Sequence, residues 1–297
     1  MSGLIGIDWG TSSFRAWRMD GRGEVTGSVT EGPGILDAAA RPGGFQAALE
    51  RALGDWLAEG LPVIASGMIT SRNGWIETPY LPLPLGVSDL AGGLVRHPAR
   101  HGPMHFVCGV IDGADGPAPD LMRGEETEIA GHLAQGHHGE DLFILPGTHS
   151  KWATIRKGRL TSFRTVMTGE IFALMRDRSI LGRLIQPGES DTAFLRGVET
   201  GGQGGPLLGR IFLARTLALQ ERLAGSEIAD YLSGILIGDE IARMADAIRA
   251  PVTIIGRGDL AERYRIALAA HGTSARIAPT GMAQKGLWRI AREAGIV

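Results

Sequence analysis

An aspartate, a glycine and three hydroxyl-bearing residues close the first apolar run of the chain, in the segment Asp8-Trp9-Gly10-Thr11-Ser12-Ser13. A turn of this composition can bring backbone N–H groups and the Thr11 and Ser12 hydroxyls against a phosphate, with Gly10 allowing close approach. A carboxylate at the end of the strand, Asp8, can hold Mg²⁺ directly or through water. Asp and Thr are also ordinary turn residues, so the segment taken alone is equally a plain hairpin. A second turn alters that balance. Pro146-Gly147-Thr148-His149-Ser150 follows another apolar run, Asp141 to Leu145, and two such turns can grip a nucleoside triphosphate from both sides. His149-Ser150 takes the place of Ser12-Ser13, and Lys151 follows, where it can touch a phosphate or merely flank the turn.

The elements that carry these turns read as a duplication. Leu4 to Ile7, Ser13 to Met19 and Glu24 to Val29 form a strand meander, the last two joined through Asp20-Gly21-Arg22-Gly23. Apolar residues at helical spacing run from Gly44 to Glu59, with Gly60 as a stop and Pro62 beyond it. Pro62 to Ala65 and His105 to Val110 read as buried strands, and a helix begins near Gly124 and runs to about Ala134. Aligning Gly10-Thr11 with Gly147-Thr148 also aligns Gly21 with Gly158, each in the turn after a second strand. The polar stretch from Gln135 to Glu140 separates the halves, and its His137-His138 pair reads as solvated linker, because no thiol or carboxylate cluster accompanies it. Helices are expected over Gly169 to Leu184, Leu207 to Leu223 and Glu227 to Ile248, the last capped by Ser226. A strand over Pro251 to Ile255, a helix from Asp259 to Ala270, a strand from Ala275 to Ala278 and a terminal helix complete the chain.

Composition bounds the function. The 297 residues suggest two domains of ordinary size, and a formal net charge of -2 argues against coating nucleic acid or an anionic membrane. Cys108, the single cysteine, sits among Phe106, Val107, Val110 and Ile111 and reads as part of a buried strand. No signal peptide and no apolar run of membrane-spanning length is visible, so the cytoplasm is the expected location. The expected partner is a small molecule, with no nucleic acid and no membrane; a homo-oligomer is compatible with the sequence.

Four stretches together carry a family resemblance: Gly6 to Ser13 with Arg15-Ala16-Trp17; Ser66-Gly67-Met68-Ile69 with Gly74-Trp75; Met122 to Thr127; and Leu145 to Trp152. In them the chain resembles the 2-dehydro-3-deoxygalactonokinase family of the actin/hexokinase-like ATPase superfamily. The two Gly-Thr turns are similar to that superfamily's phosphate motifs, and Ile254-Ile255-Gly256-Arg257-Gly258 to its adenosine motif. The resemblance implies an α/β fold of two ribonuclease H-like domains, each a mixed sheet with flanking helices, around a central cleft. Residues 1–136 would bind mainly the sugar acid and carry the first phosphate turn, and residues 140–297 mainly the nucleotide. The implied reaction is transfer from ATP, with Mg²⁺, to the terminal hydroxyl of a 2-keto-3-deoxy sugar acid.

The same resemblance distributes roles. Asp8 would serve the metal and the chemistry; Gly10, Thr11, Ser12, Gly147, Thr148, His149, Lys151, Gly256 and Gly258 the nucleotide; Arg72, Arg123 and Met68 the substrate. An acid at the start of the helix after Arg123 would accept the hydroxyl proton, and Glu125 and Glu126 are both candidates, with Asp191 in reserve. Glutamates are also favoured in a first helical turn by its dipole. One departure stands out: many superfamily members place a second aspartate before the second Gly-Thr, whereas Leu145-Pro146 stands here, which shifts metal duty towards Asp8. A phosphohydrolase of the exopolyphosphatase type and a nucleotide-switched binding protein are the competing readings.

Overall fold

The computed structural model describes residues 3–136 and 139–297, so the linker reading of His137 and His138 lies outside the described residues. The chain divides into two compact units. One comprises residues 1–139, 154–163 and 279–297; the other comprises 140–153 and 164–278.

In the first unit the meander forms as expected: β1 (Leu4–Trp9), β2 (Phe14–Met19) and β3 (Val25–Val29). After it come α1 (Ile35–Ala40), α2 (Gly44–Leu57), β4 (Val63–Ser66), β5 (Tyr80–Pro82), α3 (Val87–Gly92), β6 (Val95–His97), β7 (Met104–Phe106), β8 (Gly109–Asp112), β9 (Asp120–Met122) and α4 (Glu125–Leu133). The main sheet has the order β3-β2-β1-β4-β7-β6, with β5, β8 and β9 in a separate small sheet. β1 lies between antiparallel β2 and parallel β4, and its Leu4, Ile5, Ile7 and Trp9 are wholly buried. A strand apolar on both faces belongs at the centre of such a sheet.

The second unit's sheet repeats the same winding, in the order β12-β11-β10-β13-β14. Its elements are β10 (Glu140–Leu145), β11 (Ser150–Arg156), β12 (Arg159–Val166), α5 (Thr168–Arg178), α6 (Asp191–Gly202), α7 (Leu207–Leu219), α8 (Ile228–Arg243), β13 (Val252–Ile254), α9 (Gly258–Ala270) and β14 (Ala275–Ile277). α6 and α8 approach so closely that a Cβ on Gly197 would stand 2.2 Å from the Tyr231 carbonyl oxygen, and one on Gly234 2.1 Å from that of Phe194. Glycines in these helices cost helix propensity but permit this contact.

Several expectations are corrected. The single strand expected over His105 to Val110 is two strands in two sheets, β7 and β8, with the buried Cys108 between them donating its thiol to the Gly93 carbonyl at 2.9 Å. α1, β5 and β9 are too short for periodicity to reveal. Ser226 lies within a short 3₁₀ turn, and the hydroxyl that caps a helix is that of Ser190, which accepts from the Ala193 N–H at the start of α6. α7 and α8 stop at Leu219 and Arg243, earlier than the spacing suggested.

The terminal helix α10 (Met282–Glu293) belongs to the first unit, not to the second as its place in the chain implied. Its apolar stripe of Met282, Ala283, Leu287, Ile290 and Ala291 is buried, and it crosses α4 at two glycines. A Cβ on Gly286 would lie 1.8 Å from the Thr127 carbonyl oxygen, and one on Gly131 2.0 Å from that of Met282. Residues 154–163, at the tip of the β11–β12 hairpin, also belong to the first unit, where Leu160 and Leu85 exchange backbone hydrogen bonds.

Candidate active site

In the first unit the site grows from the end of β1. Asp8 and Arg15 are directly opposite in the antiparallel pair with β2, so their side chains leave the sheet on one face. Arg15 Nε donates to Asp8 Oδ2 at 3.0 Å and its terminal nitrogen bonds the same oxygen. Oδ1 is left beside Gly67, where a Cβ would stand only 2.9 Å away. Gly67 adopts φ +94° and Gly124 φ +116°, in the region that favours glycine, and a Cβ on Gly124 would lie 3.3 Å from the Gly67 Cα. Two bare backbones therefore lie in close contact next to Asp8.

The turn after Asp8 is exposed at Thr11, Ser12 and Ser13 and fixed through its backbone. Gly10 N–H donates to the Ser13 carbonyl at 2.9 Å, and Ile35 N–H to the Gly10 carbonyl at 3.0 Å. Gly34 lies directly behind: a Cβ there would be 2.1 Å from the Thr11 carbonyl oxygen.

α4 opens onto the same region with a run of acids. Glu126 is 1% exposed, and both its oxygens accept from the Gly124 N–H, at 2.8 and 2.7 Å. Burial, and then the charge of Glu125, push its carboxyl up to about 8. Glu125 is only partly buried, and its Oε2 accepts from the Arg123 N–H at 3.1 Å. Glu128, one helical turn beyond Glu125, was not singled out from the sequence. Burial and the charges of Asp8 and Glu125 push its carboxyl up to about 7 against the pull of Arg15, which locates it among those groups. The i, i+3 spacing from Glu125 was the signal that could have found it.

The raised Glu126 makes stability depend on pH. The folded state holds this proton up to about pH 8, whereas an unfolded glutamate releases it near 4.5. Folded protein thus binds more protons than unfolded protein between those values, and stability falls as pH rises through that window. Glu126→Gln removes this contribution while leaving that of Glu128. We expect the variant's melting temperature to match wild type near pH 4.5 and to exceed it above pH 8, by the equivalent of a few kcal/mol. Melting curves across that range check it, and a constant difference at all pH values would refute the assignment.

Arg123, expected to hold the substrate, is already committed. Its terminal nitrogens donate to the Thr70 carbonyl (2.6 Å), the Thr70 and Thr78 hydroxyls (2.6 and 2.7 Å) and the Thr78 carbonyl (3.1 Å), and its guanidinium lies 4.3 Å from the Tyr80 ring centre. It staples the 70–80 loop to the entrance of α4. Arg72, by contrast, projects from that loop with its side chain 86% exposed and a long 3.4 Å contact to Glu77. Met68 lies in a 3₁₀ turn after β4, half-buried against the core.

In the second unit a cavity of about 520 Å³ opens beside the second turn. Pro146, Gly147 and Thr148 line one side, and Asp230, Arg257 and Arg263 supply charge. Asp230 is buried, accepting from the Ser190 N–H at 2.6 Å and from Arg263 at 2.5 Å. Gly169 stands behind this turn as Gly34 stands behind the first, with a Cβ position 2.3 Å from the Gly147 carbonyl oxygen. Glu170 N–H donates to the Thr148 carbonyl at 2.9 Å, and the Glu170 carboxylate meets His149 Nε2 at 2.5 Å. Lys151 flanks this turn as the second residue of β11 and is 4% exposed, inside the sheet. Of the adenosine segment, Arg257 lines the cavity while Gly256 and Gly258 do not. Asp191 is exposed in the first turn of α6, in the second unit, whereas the cluster of acids belongs to the first.

Among the described residues, no group of three or more His, Cys, Asp or Glu is placed to hold a metal ion, and no helix is long and apolar enough to cross a membrane.

The chain can be set beside known proteins. A family model for 2-keto-3-deoxy-galactonokinase matches residues 8–290. Over 271 residues the chain is 31% identical to the 2-dehydro-3-deoxygalactonokinase of Escherichia coli strain K12, covering 90% of each sequence. It is 34% identical over 280 residues to the "Probable 2-dehydro-3-deoxygalactonokinase DgoK1" of Rhizobium meliloti strain 1021, covering 91% of this chain and 90% of that one. The crystal structure of "a putative 2-dehydro-3-deoxygalactonokinase protein" from Sinorhizobium meliloti superposes with a TM-score of 0.89 at 32% identity, covering 97% of this chain and 98% of that one. The activator of 2-hydroxyisocaproyl-CoA dehydratase from Clostridium difficile, solved with bound ADPNP, shares the fold at 14% identity and a TM-score of 0.52, covering 99% of this chain and 96% of that one.

Proposed function

The chain belongs to the 2-keto-3-deoxy-galactonokinase family, and from that premise we propose that it moves the γ-phosphoryl group of ATP, with Mg²⁺, onto the terminal hydroxyl of 2-dehydro-3-deoxygalactonate. It is a sugar-acid kinase of galactonate catabolism, built on two actin-like ATPase domains. The observation that carries the nucleotide assignment is the 520 Å³ cavity at the Gly147–Thr148 turn, a volume typical of small-molecule sites. A cytoplasmic location belongs to the same reading.

Phosphoryl transfer is largely a matter of positioning and charge stabilisation. The Gly147–Thr148 turn offers backbone N–H groups and the Thr148 hydroxyl to the polyphosphate, and in the first unit the Gly10-Thr11-Ser12 turn carries donors of the same kinds. Asp8 fits a magnesium role: both Arg15 bonds fall on Oδ2, leaving Oδ1 beside the bare backbone of Gly67. Mg²⁺ commonly uses one or two protein carboxylates and takes its other ligands from water and phosphates, which suits a site where Asp8 is the one acid assigned to the metal. When bound there, the ion supplies neutralising charge to the phosphates.

Glu125 is the acceptor for the hydroxyl proton in this reading. Glu126 is fully buried, tied to the Gly124 N–H and protonated up to about pH 8, which suits a structural acid better than a base at neutral pH. Arg72, exposed on a loop that Arg123 braces, is the cation for the substrate carboxylate.

An assay of ADP release against 2-keto-3-deoxy acids differing at one carbinol centre tests this reading. Release is expected to depend on the sugar acid and to favour the galactonate configuration. Equal release with no sugar acid present would point to a phosphohydrolase instead.

A further inference from the structure

One carboxylate with no part in the chemistry above lies at the centre of the second unit. Glu240, on α8, is 2% exposed, and side chains from three other elements converge on it. Trp152 Nε1 on β11 donates to Oε1 at 2.6 Å. The Tyr264 hydroxyl on α9 donates to Oε2 at 2.7 Å, and the Thr168 hydroxyl, at the start of α5, bonds the same oxygen. Tyr264 Oη is also 2.8 Å from Ser150 Oγ. Burying a carboxylate is costly even when every lone pair is met, and a well-packed apolar residue in such a place is often neutral or stabilising. Packing alone does not account for an acid here.

The partners share one neighbour, the second phosphate turn. Ser150 and Trp152 continue the chain from Gly147–Thr148 into β11. Thr168 and Tyr264 line the cavity. Thr168 is followed by Gly169, whose backbone touches the Gly147 carbonyl, and then by Glu170, whose N–H holds the Thr148 carbonyl. Thr148 itself is exposed. What fixes the turn is thus the N-terminus of α5 behind it, and what fixes that N-terminus includes the Thr168 hydroxyl on Glu240.

We propose that Glu240 is a positioning residue for the nucleotide: by gathering Thr168, Trp152 and Tyr264 it holds the start of α5 against the Gly147–Thr148 turn. Cavity wall and turn then present one fixed set of donors to the polyphosphate. The proposal rests on the cavity being the nucleotide site. Burial pushes the Glu240 carboxyl up while its hydroxyl and indole donors pull it back. A glutamine can serve most of these partners, because the Thr168 and Tyr264 hydroxyls can accept as well as donate. A leucine can serve none.

The test compares Glu240→Leu, Glu240→Gln and Thr168→Val in steady-state kinetics with both substrates varied. In Glu240→Leu and Thr168→Val we expect KM for ATP to rise about tenfold or more, with KM for the sugar acid within about twofold of wild type; Glu240→Gln should recover most of the loss. A merely structural carboxylate predicts something else: a lower melting temperature and less active protein, with KM for ATP at the wild-type value. That result in Glu240→Leu, or in Thr168→Val if the leucine variant does not fold, overturns the proposal. Ser233→Trp, which fills the cavity, separates the two levels, read by calorimetric titration with a non-hydrolysable ATP analogue and Mg²⁺. Unchanged affinity in Ser233→Trp overturns the cavity assignment and this inference with it. Weakened affinity there, beside unchanged KM for ATP in Glu240→Leu, overturns the inference alone.

Discussion

Asp8→Asn is expected to lower kcat by about a thousandfold or more, on the scale of removing a principal electrostatic contact in the transition state, while the protein stays folded. The argument begins with the cross-strand pair. Asp8 is held by Arg15 through one oxygen, and the other lies beside Gly67. Asparagine keeps the size and one acceptor but removes the charge that a magnesium ion requires. β1 is secured by its buried Ile5, Ile7 and Trp9, none of which depends on Asp8, so the melting temperature should change little. The deficit should ease as Mg²⁺ is raised, because a weakened metal site is refilled by mass action. A fully active Asp8→Asn enzyme would remove Asp8 from the metal site.

The second large effect separates two adjacent glutamates. Glu125→Gln should reduce kcat by about a hundredfold to ten-thousandfold, the usual range for a positioned acid–base group. KM for the sugar acid should move far less, since a glutamine can still hydrogen-bond the hydroxyl. Glu126→Gln should retain most of the activity, because that carboxyl is buried against the Gly124 N–H. Measured kcat values for the two variants decide the matter. A reversed order would make Glu126 the acceptor and imply that the start of α4 opens during turnover.

Both hairpins could be read in the sequence, because each joins a central apolar strand to a Gly-Thr turn and the second repeats the first. The start of α4 was visible for a similar reason: Gly124 interrupts the pattern just before an acidic helical run. Long-range approaches were not. Nothing local marks Gly34 and Gly169 as the residues behind the two turns, since the atoms they touch lie some twenty residues away. Arg123 looked like an anion ligand until Thr70, Thr78 and Tyr80 claimed it, and that claim depends on how a loop 43 or more residues earlier folds back. The burial of Lys151 was not legible either, because lysine is usually exposed, whereas Ser150, Lys151 and Trp152 are all buried in β11. The return of α10 to the first unit rests on Gly131 and Gly286 meeting across a helix crossing, which neither glycine announces alone.

The most direct test of the account is the identity of the product. The protein is incubated with Mg²⁺, ATP and 2-dehydro-3-deoxygalactonate, and the mixture is followed by phosphorus NMR. The account predicts one phosphate monoester, on the terminal carbon of the sugar acid, formed in equal amount with ADP. ADP accompanied by free inorganic phosphate and an unmodified sugar acid would contradict it.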